Sequence, residues 1–225
     1  MNLMVILQIL VETASVTEQK INLWEMTLKG GWIMLPIVSL LLIAVYILIE
    51  RSIVLRNASK EDPSFMNRIK DYITDGKIDA ATKLCRDTEG PSVRMIEKGI
   101  SRLGRPMRDV LVAIENVGNL EIAKLEKGLG LLATIAGGAP MLGFLGTVIG
   151  MVKAFFEMAN KGDNTIVLSD LSAGIYTAMV TTVAGLIVGL CAYFAYNYLV
   201  SRVDNVMRNL EARTMDFLDL LNEPA

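Results

Sequence analysis

Five threonine side chains lie in stretches of the sequence that contain no charged residue, and their hydroxyl groups could do chemistry there. They are Thr134, Thr147, Thr177, Thr181 and Thr182. A hydroxyl donates one hydrogen bond and accepts others, but it carries no charge at neutral pH. Such groups either bond the backbone carbonyl one turn back or, where symmetry arranges them around a centre, line a polar path. The residues alone leave both interpretations open.

Other kinds of site are excluded by composition. The chain has no histidine, which removes His-based triads and imidazole ligands. Cys85 and Cys191 are far apart, so neither a disulfide nor a zinc site is expected. The net charge of -2 comes with no basic face of the kind that binds nucleic acid. We find no nucleophile–base pair and no phosphate-binding loop, and we therefore expect no enzyme, no metal and no cofactor.

Three segments of membrane length define the fold class, and the second and third of them contain these threonines. Residues 30–49, 128–152 and 171–201 contain no Asp, Glu, Lys or Arg, and the mean hydropathy of the chain is +0.44. A bilayer core of about 30 Å needs about 20 helical residues, which each segment supplies. The sequence predicts an all-α integral membrane protein with three transmembrane helices and long cytoplasmic helical extensions.

The spans contain no ionisable side chain, and this restricts what the chain can do alone. A proton-driven machine needs a group that titrates within the membrane. The chain is therefore interpreted either as a passive helical bundle or as a hydroxyl-lined housing for a partner helix that brings a carboxylate.

The distribution of basic residues predicts the orientation. Residues 50–127 hold 15 Lys and Arg, whereas residues 1–29 hold two. The positive-inside rule puts 50–127 and the tail 202–225 in the cytoplasm, with 1–29 and the loop 153–170 on the outer side. The start of the chain is interpreted as an amphipathic helix at the outer interface. The alternative is a cleaved leader peptide.

Helical periodicity and breaks organise the rest of the chain. Short helices are predicted at about 62–74, 78–85 and 92–103, with no β-sheet. Apolar spacing with no proline before Pro140 predicts one helix over about 107–158, and the third span is predicted to continue to about Leu221. These extensions are either solvated helices that pack on the hairpin or an oligomer interface.

Small residues line one side of spans two and three, and this pattern predicts close helix packing. Gly146 and Gly150, and likewise Gly185 and Gly189, are spaced four apart, which favours helix association in lipid. A symmetric oligomer is expected to form on these faces, and Pro140 is expected to kink its span. The candidate interface residues are Ala139, Gly143, Gly146, Gly150, Gly174, Ala178, Gly185 and Gly189.

Three stretches of the sequence contain specific motifs. Span two contains Ala139-Pro-Met-Leu-Gly-Phe-Leu-Gly-Thr-Val-Ile-Gly150. Span three contains Gly174-Ile-Tyr-Thr-Ala-Met-Val-Thr-Thr-Val-Ala-Gly-Leu186, followed by Ala195-Tyr-Asn197, and the first span ends with Glu50-Arg-Ser-Ile-Val-Leu55. These stretches resemble the corresponding spans of the MotA/TolQ/ExbB proton-channel family. The three-span layout is closer to the ExbB and TolQ branches than to four-span MotA, with ExbB the better match.

The resemblance implies a homopentamer in the bacterial inner membrane that encloses the single transmembrane helices of an ExbD-like partner carrying an aspartate. The complex would use the proton gradient to energise a TonB-like protein. TolQ-like, gliding-type and non-conducting scaffold roles remain alternatives. By motif position, Thr147 and Thr182 match the pore-facing threonines, with Thr181 and Thr177 as further candidates. Thr177 stands where the family usually has a glutamate, and Cys191 where it usually has a proline.

Overall fold

The computed structural model describes residues 31–60, 62, 64–160 and 168–222, and every regular element in them is an α-helix. The N-terminal interfacial helix and its leader alternative lie outside the described residues, as do residues 161–167 of the expected outer loop. The helices are α1 (Met34–Ala58), α2 (Phe65–Thr74), α3 (Ile78–Asp87), α4 (Pro91–Ile100), α5 (Met107–Glu126), α6 (Leu129–Asn160) and α7 (Leu168–Asn222).

Three stretches of helix are long and apolar enough to cross a membrane, which confirms the predicted fold class. They are α1, the α5–α6 run and α7. The helix α7 has 55 residues and is therefore about 80 Å long. Its second half continues beyond the charge-free segment, as the apolar spacing predicted. The described parts of the outer loop, residues 153–160 and 168–170, are the last part of α6 and the first residues of α7.

The three short helices are confirmed, and turn residues define their ends. Gly76 has a φ of +72° and Gly104 a φ of +83°, a region that favours glycine. Pro91 occupies the first turn of α4, where its missing N–H costs nothing. The helix α4 ends at Ile100, three residues before the predicted end, because the chain then turns toward Gly104.

The prediction of one helix over 107–158 is wrong. The helix α5 ends at Glu126, Lys127 has a ψ of 127°, and Gly128 has a φ of +88°, so α6 begins at Leu129. Glycine in the left-handed region after a lysine-containing last turn is a common helix end. This helix-ending signal is present in the sequence, although no proline accompanies it.

Two packing regions result. Through the membrane, α6 and α7 form an antiparallel hairpin with α1 against it. Outside the charge-free segments, α4, α5 and residues 202–222 of α7 form a second unit, which we call the wedge. Its core is made of large apolar side chains that are fully buried, with Phe217, Ile114 and Ile96 each at most 1% exposed.

Candidate functional site: the α6–α7 hairpin

Glycines hold α6 and α7 in very close contact along the membrane. A Cβ placed on Gly185 would lie 2.6 Å from the Ala139 carbonyl oxygen and 2.8 Å from the Gly143 Cα. A Cβ on Gly150 would lie 2.9 Å from the Ala178 Cβ, and one on Gly174 2.6 Å from the Ala154 Cβ. Such approach gives dispersion contact without large side chains, as is typical of helix pairs in lipid.

The two small-residue faces therefore pack against each other within one chain. The sequence analysis expected these faces to bring neighbouring copies together. Because these glycines already contact their own hairpin partner, an oligomer would form through a different surface. The surface left outward on α6 and α7 is apolar and exposed. It includes Met141, Phe144, Phe155, Leu186 and Leu190, each more than half exposed.

Pro140 lies inside α6, and the helix is continuous through it. Proline has no N–H, so the carbonyl of Ala136 lacks its usual partner one turn on. Gly189 of α7 packs against this point: a Cβ there would lie 2.5 Å from the Pro140 Cγ and 3.0 Å from the Ala136 oxygen. The proline thus forms part of the helix contact, and its predicted kink stays a prediction.

Adjacent threonines on α7 have different environments. Thr181 is 1% exposed, and its hydroxyl donates to the Ala178 carbonyl at 2.8 Å while lying against Gly146. It is enclosed by the hairpin of a single chain, where its hydroxyl also lies 3.4 Å from the Gly143 carbonyl oxygen, and its pore-lining role stays a prediction. Thr182 and Thr177 are only partly buried.

The hydroxyls of Thr147 and Thr182 lie at one depth. Thr182 Oγ1 donates to the Gly143 carbonyl at 3.2 Å, and Thr147 Oγ1 donates to the Phe144 carbonyl. These acceptors are consecutive carbonyl groups of α6, so two hydroxyls from residues 35 positions apart in the sequence bond the same turn of that helix. Thr134 donates to the Gly130 carbonyl at 2.9 Å, near the opposite end of the span.

Other chemistry is missing around this pair. Within the described ranges, no three His, Cys, Asp or Glu residues are close enough to hold a metal ion. Cys85 and Cys191 are both free thiols. Burial, together with the nearby Glu97 carboxylate, raises the pKa of Cys85 to about 11, so that thiol is unreactive at neutral pH.

A buried ion cluster, which the sequence analysis missed, ties α4 to α5 within the wedge and adjoins a contact between α5 and α1. Glu121 is 4% exposed and accepts hydrogen bonds from Arg94 at 2.5 Å and Lys124 at 2.7 Å. Arg51 donates to the Lys124 carbonyl at 3.1 Å and pairs with Glu50 at 2.6 Å. The signal available was the Glu50–Arg51 pair directly after the first charge-free segment.

Burial and hydrogen bonding act against each other on Glu121. Burial alone would raise the pKa of this carboxyl, but hydrogen bonds from Arg94 and Lys124 hold its pKa below the ordinary value. The carboxylate is therefore charged at neutral pH, and it ties α4 to α5 beside the turn where the transmembrane helix begins.

The sequence profile of the MotA/TolQ/ExbB proton channel family matches residues 87–212, which is more than half of the chain. The chain belongs to this family. The matched region extends from the end of α3 through most of α7, and it contains both Thr147 and Thr182.

Individual members of the MotA/TolQ/ExbB family align over much of the chain. A putative biopolymer transport protein ExbB homolog from Methanothermobacter thermautotrophicus is 28% identical over 83% of this chain and 66% of its own length. The Tol-Pal system protein TolQ of Haemophilus influenzae is 27% identical over 92% of this chain and 96% of its own. The biopolymer transport protein ExbB of Aquifex aeolicus is 35% identical over 40% of this chain and 59% of its own.

Proposed function

We propose that this chain is the channel-forming subunit of a proton-driven motor in a bacterial inner membrane, closest to ExbB. Several copies, five by analogy with the family, enclose the single transmembrane helices of an ExbD-like partner. That partner brings an intramembrane aspartate, and the complex energises a TonB-like protein that drives transport through the outer membrane.

The observation that carries this proposal is the pair of hydroxyls on consecutive carbonyls of α6 in a span without charge. A carboxylate in a dry apolar bore is costly, which raises its pKa and lets it take up a proton. A threonine hydroxyl that donates to its own backbone still has lone pairs free to accept a hydrogen bond from a protonated carboxyl. Thr147 and Thr182 are proposed to serve in this way, and Thr177 as a weaker contributor.

The topology follows from charge. The N-terminus is proposed to be periplasmic and the C-terminus cytoplasmic, because residues 50–127 carry 15 of the 22 basic residues. The wedge and the ion cluster around Glu121 then lie in the cytoplasm. The outward apolar side chains of α6 and α7 meet lipid or a neighbouring copy.

A TolQ-like role is the second candidate, and one observation favours it. TolQ of Haemophilus influenzae aligns over 96% of its own length, whereas ExbB of Aquifex aeolicus aligns over 59%. The two roles share the channel chemistry and differ in the periplasmic protein that receives the work.

Co-purification in mild detergent followed by native mass spectrometry tests the assembly. The proposal expects several copies of this chain together with a one-span protein that has an aspartate within its span. A TonB-like or TolA-like protein in the complex decides between the two roles. A chain that purifies alone as a monomer, and supports proton flux alone in liposomes, would contradict the proposal.

Variants test the hydroxyl pair. Thr147→Val and Thr182→Val keep the side-chain shape, and each should abolish most energy coupling while the complex keeps its native mass. Losing one hydrogen bond costs about 0.5–1.5 kcal/mol, too little to disassemble such a bundle. The matched control is Thr134→Val. Thr134 lies near the beginning of α6, the helix that also carries Thr147, and this variant should couple almost normally. Equal loss at all three positions would indicate a structural role only.

A further inference from the structure

A groove of about 570 Å³ opens between the end of α1 and the middle of α7. Its walls carry three cationic side chains and three hydroxyl groups. They are Arg56, Lys60, Arg202, Ser52, Ser59 and Tyr198. Leu55 and Val206 form an apolar floor, and none of the described residues that line the groove is acidic.

The groove lies at the level of the lipid headgroups. Ser52 follows the end of the first charge-free segment by three residues, or about 5 Å, and Arg56 follows it by about 10 Å. Arg202 is the first charged residue after the third charge-free segment. The headgroup layer extends about 5–8 Å beyond the hydrocarbon core, within reach of a flexible arginine or lysine.

Aromatic side chains mark the same level on α7. Tyr193, Phe194 and Tyr198 are each about half exposed or more and lie within the last three turns before Arg202. Exposed aromatic residues are enriched where a span leaves the hydrocarbon core. On α1, Ile49 and Ile53 are also exposed, and they share a helix face with Ser52 and Arg56.

The three cations form no ion pair with the acidic residues that the structure describes. None of the ion pairs formed within the described part of the chain includes Arg56, Lys60 or Arg202. Arg202 is held in place by Tyr198, whose hydroxyl oxygen accepts from its Nε and Nη2 at 3.2 Å, and its guanidinium lies 5.5 Å from the ring centroid. The result is a positive groove with oriented donors.

We propose that this groove binds the phosphate of an anionic phospholipid such as phosphatidylglycerol. Three cations and three hydroxyls offer the donors that a phosphodiester accepts, and basic pockets between spans on this side of a membrane suit anionic headgroups. The acyl chains lie along the exposed face of Ile49 and Ile53. The lipid would tie α1 to α7 where the structure holds them together with few polar contacts of their own. This inference holds for either an ExbB-like or a TolQ-like role.

A second basic groove provides a matched control. It lies between α4 and α5 at the far end of the wedge and is lined by Lys98, Arg102, Arg105 and Arg108, with Asp109. The groove continues along α5 to Leu120, but its cations lie at the start of that helix. Arg108 is 18 residues, or about 27 Å, from the end of α5 at Glu126. A lipid headgroup in the bilayer does not reach it.

The test measures binding of a short-chain lipid to the purified full-length protein in mild nonionic detergent. Dioctanoyl phosphatidylglycerol is compared with dioctanoyl phosphatidylcholine and with inorganic phosphate by microscale thermophoresis. Each cation contributes about fivefold in affinity. Arg56→Gln/Lys60→Gln/Arg202→Gln should therefore bind phosphatidylglycerol about 100-fold more weakly. Arg102→Gln/Arg105→Gln/Arg108→Gln removes the same charge and should stay within about twofold of wild type.

Four results would overturn the proposal. Equal binding of phosphatidylcholine would show that headgroup charge is irrelevant. Equal affinity for inorganic phosphate would identify a free-anion site instead of a lipid site. Unchanged affinity in the triple variant, or an equally large loss in the distal control variant, would show that this groove is not the binding site. If the triple variant loses its native oligomeric mass, the single exposed Arg56→Gln decides, with an expected loss of about fivefold.

Discussion

The transmembrane hairpin and the wedge are held together by different physics, although α7 runs through both. In the hairpin, the contact is made by glycine, alanine and threonine, and backbones approach until a single Cβ would clash. In the wedge, the contact is made by large side chains such as Phe217 and Ile114, with the Glu121 ion cluster at the junction. In water the hydrophobic effect favours burial of large apolar side chains. Lipid supplies no such driving force, so helices in lipid are stabilised by the dispersion contacts of close packing.

The comparison teaches where each region tolerates change. The wedge should suffer from removing volume, and the hairpin from adding it. Changes of charge should affect stability only at the junction of hairpin and wedge and beyond it, because the three charge-free segments contain no ionisable side chain.

The largest effect is expected from Phe217→Ala in the wedge. Phe217 is fully buried and lies against Gly99 and Ile114, so truncation leaves a cavity and should cost about 3–5 kcal/mol. The apparent melting temperature of the detergent-solubilised protein, followed by circular dichroism, should fall by roughly 10 °C. A control truncation at the exposed Met215 should change it little. An unchanged melting temperature in Phe217→Ala would contradict the proposal that the wedge, unlike the hairpin, is held together by large buried side chains.

The next effect is expected from Gly185→Ala in the hairpin. The added methyl meets backbone atoms of Ala139 and Gly143, which cannot turn aside, and overpacking costs about 1–3 kcal/mol. Gly137→Ala is the control, because nothing lies within 4 Å of its Cβ and alanine favours helix. Thermal unfolding should therefore show destabilisation in the first variant and none in the second. Equal behaviour would mean that close packing is not what holds the hairpin.

A smaller effect separates the two adjacent threonines. Thr181→Val removes a hydrogen bond inside the hairpin and should lower stability by about 1 kcal/mol with energy coupling retained. Thr182→Val removes one hydrogen bond as well and should cost a similar amount of stability, but it should also lose energy coupling. Paired measurements of melting temperature and motor activity in cells check this. Loss of coupling in Thr181→Val with full stability would place the proton path on the buried side instead.

The smallest effect concerns pH and Glu121. Because the pKa of Glu121 is lower in the folded state than its ordinary value of 4.5, its contribution to stability is present above that pH. The contribution is lost as the pH falls through the lower folded pKa. Melting temperatures measured between pH 6 and pH 3 should fall less steeply in Glu121→Gln than in wild type. The exposed carboxylate Glu115 is the control, since Glu115→Gln should keep the wild-type slope.

Much of the architecture was predictable from local properties of the chain. Charged residues are absent from three segments because each would cost free energy in the bilayer, and this cost is visible residue by residue. Helical period and turn residues likewise located α2, α3, α4 and the full extent of α7. The break at Gly128 is also local, because a glycine after a last turn that contains lysine ends a helix without any proline.

Positions around the helix axis needed the folded chain. Thr181 and Thr182 are neighbours in one motif and have the same side chain, yet they point about 100° apart on α7. Thr181 is buried against Gly146, whereas Thr182 is only partly buried, although both hydroxyls lie within hydrogen-bond distance of the Gly143 carbonyl. The small-residue pattern could predict close packing but not its partner, since a helix in its own chain and one in a second copy offer the same kind of surface.

Contacts between distant residues set the remaining features. Arg51 meets the carbonyl of Lys124 across 73 residues, and the basic groove is built from α1 and the middle of α7. Composition and periodicity describe each helix separately and report how it meets lipid or water. Which side chains then meet depends on how helices rotate and pair, and that is decided by the summed close contacts of residues far apart in the chain.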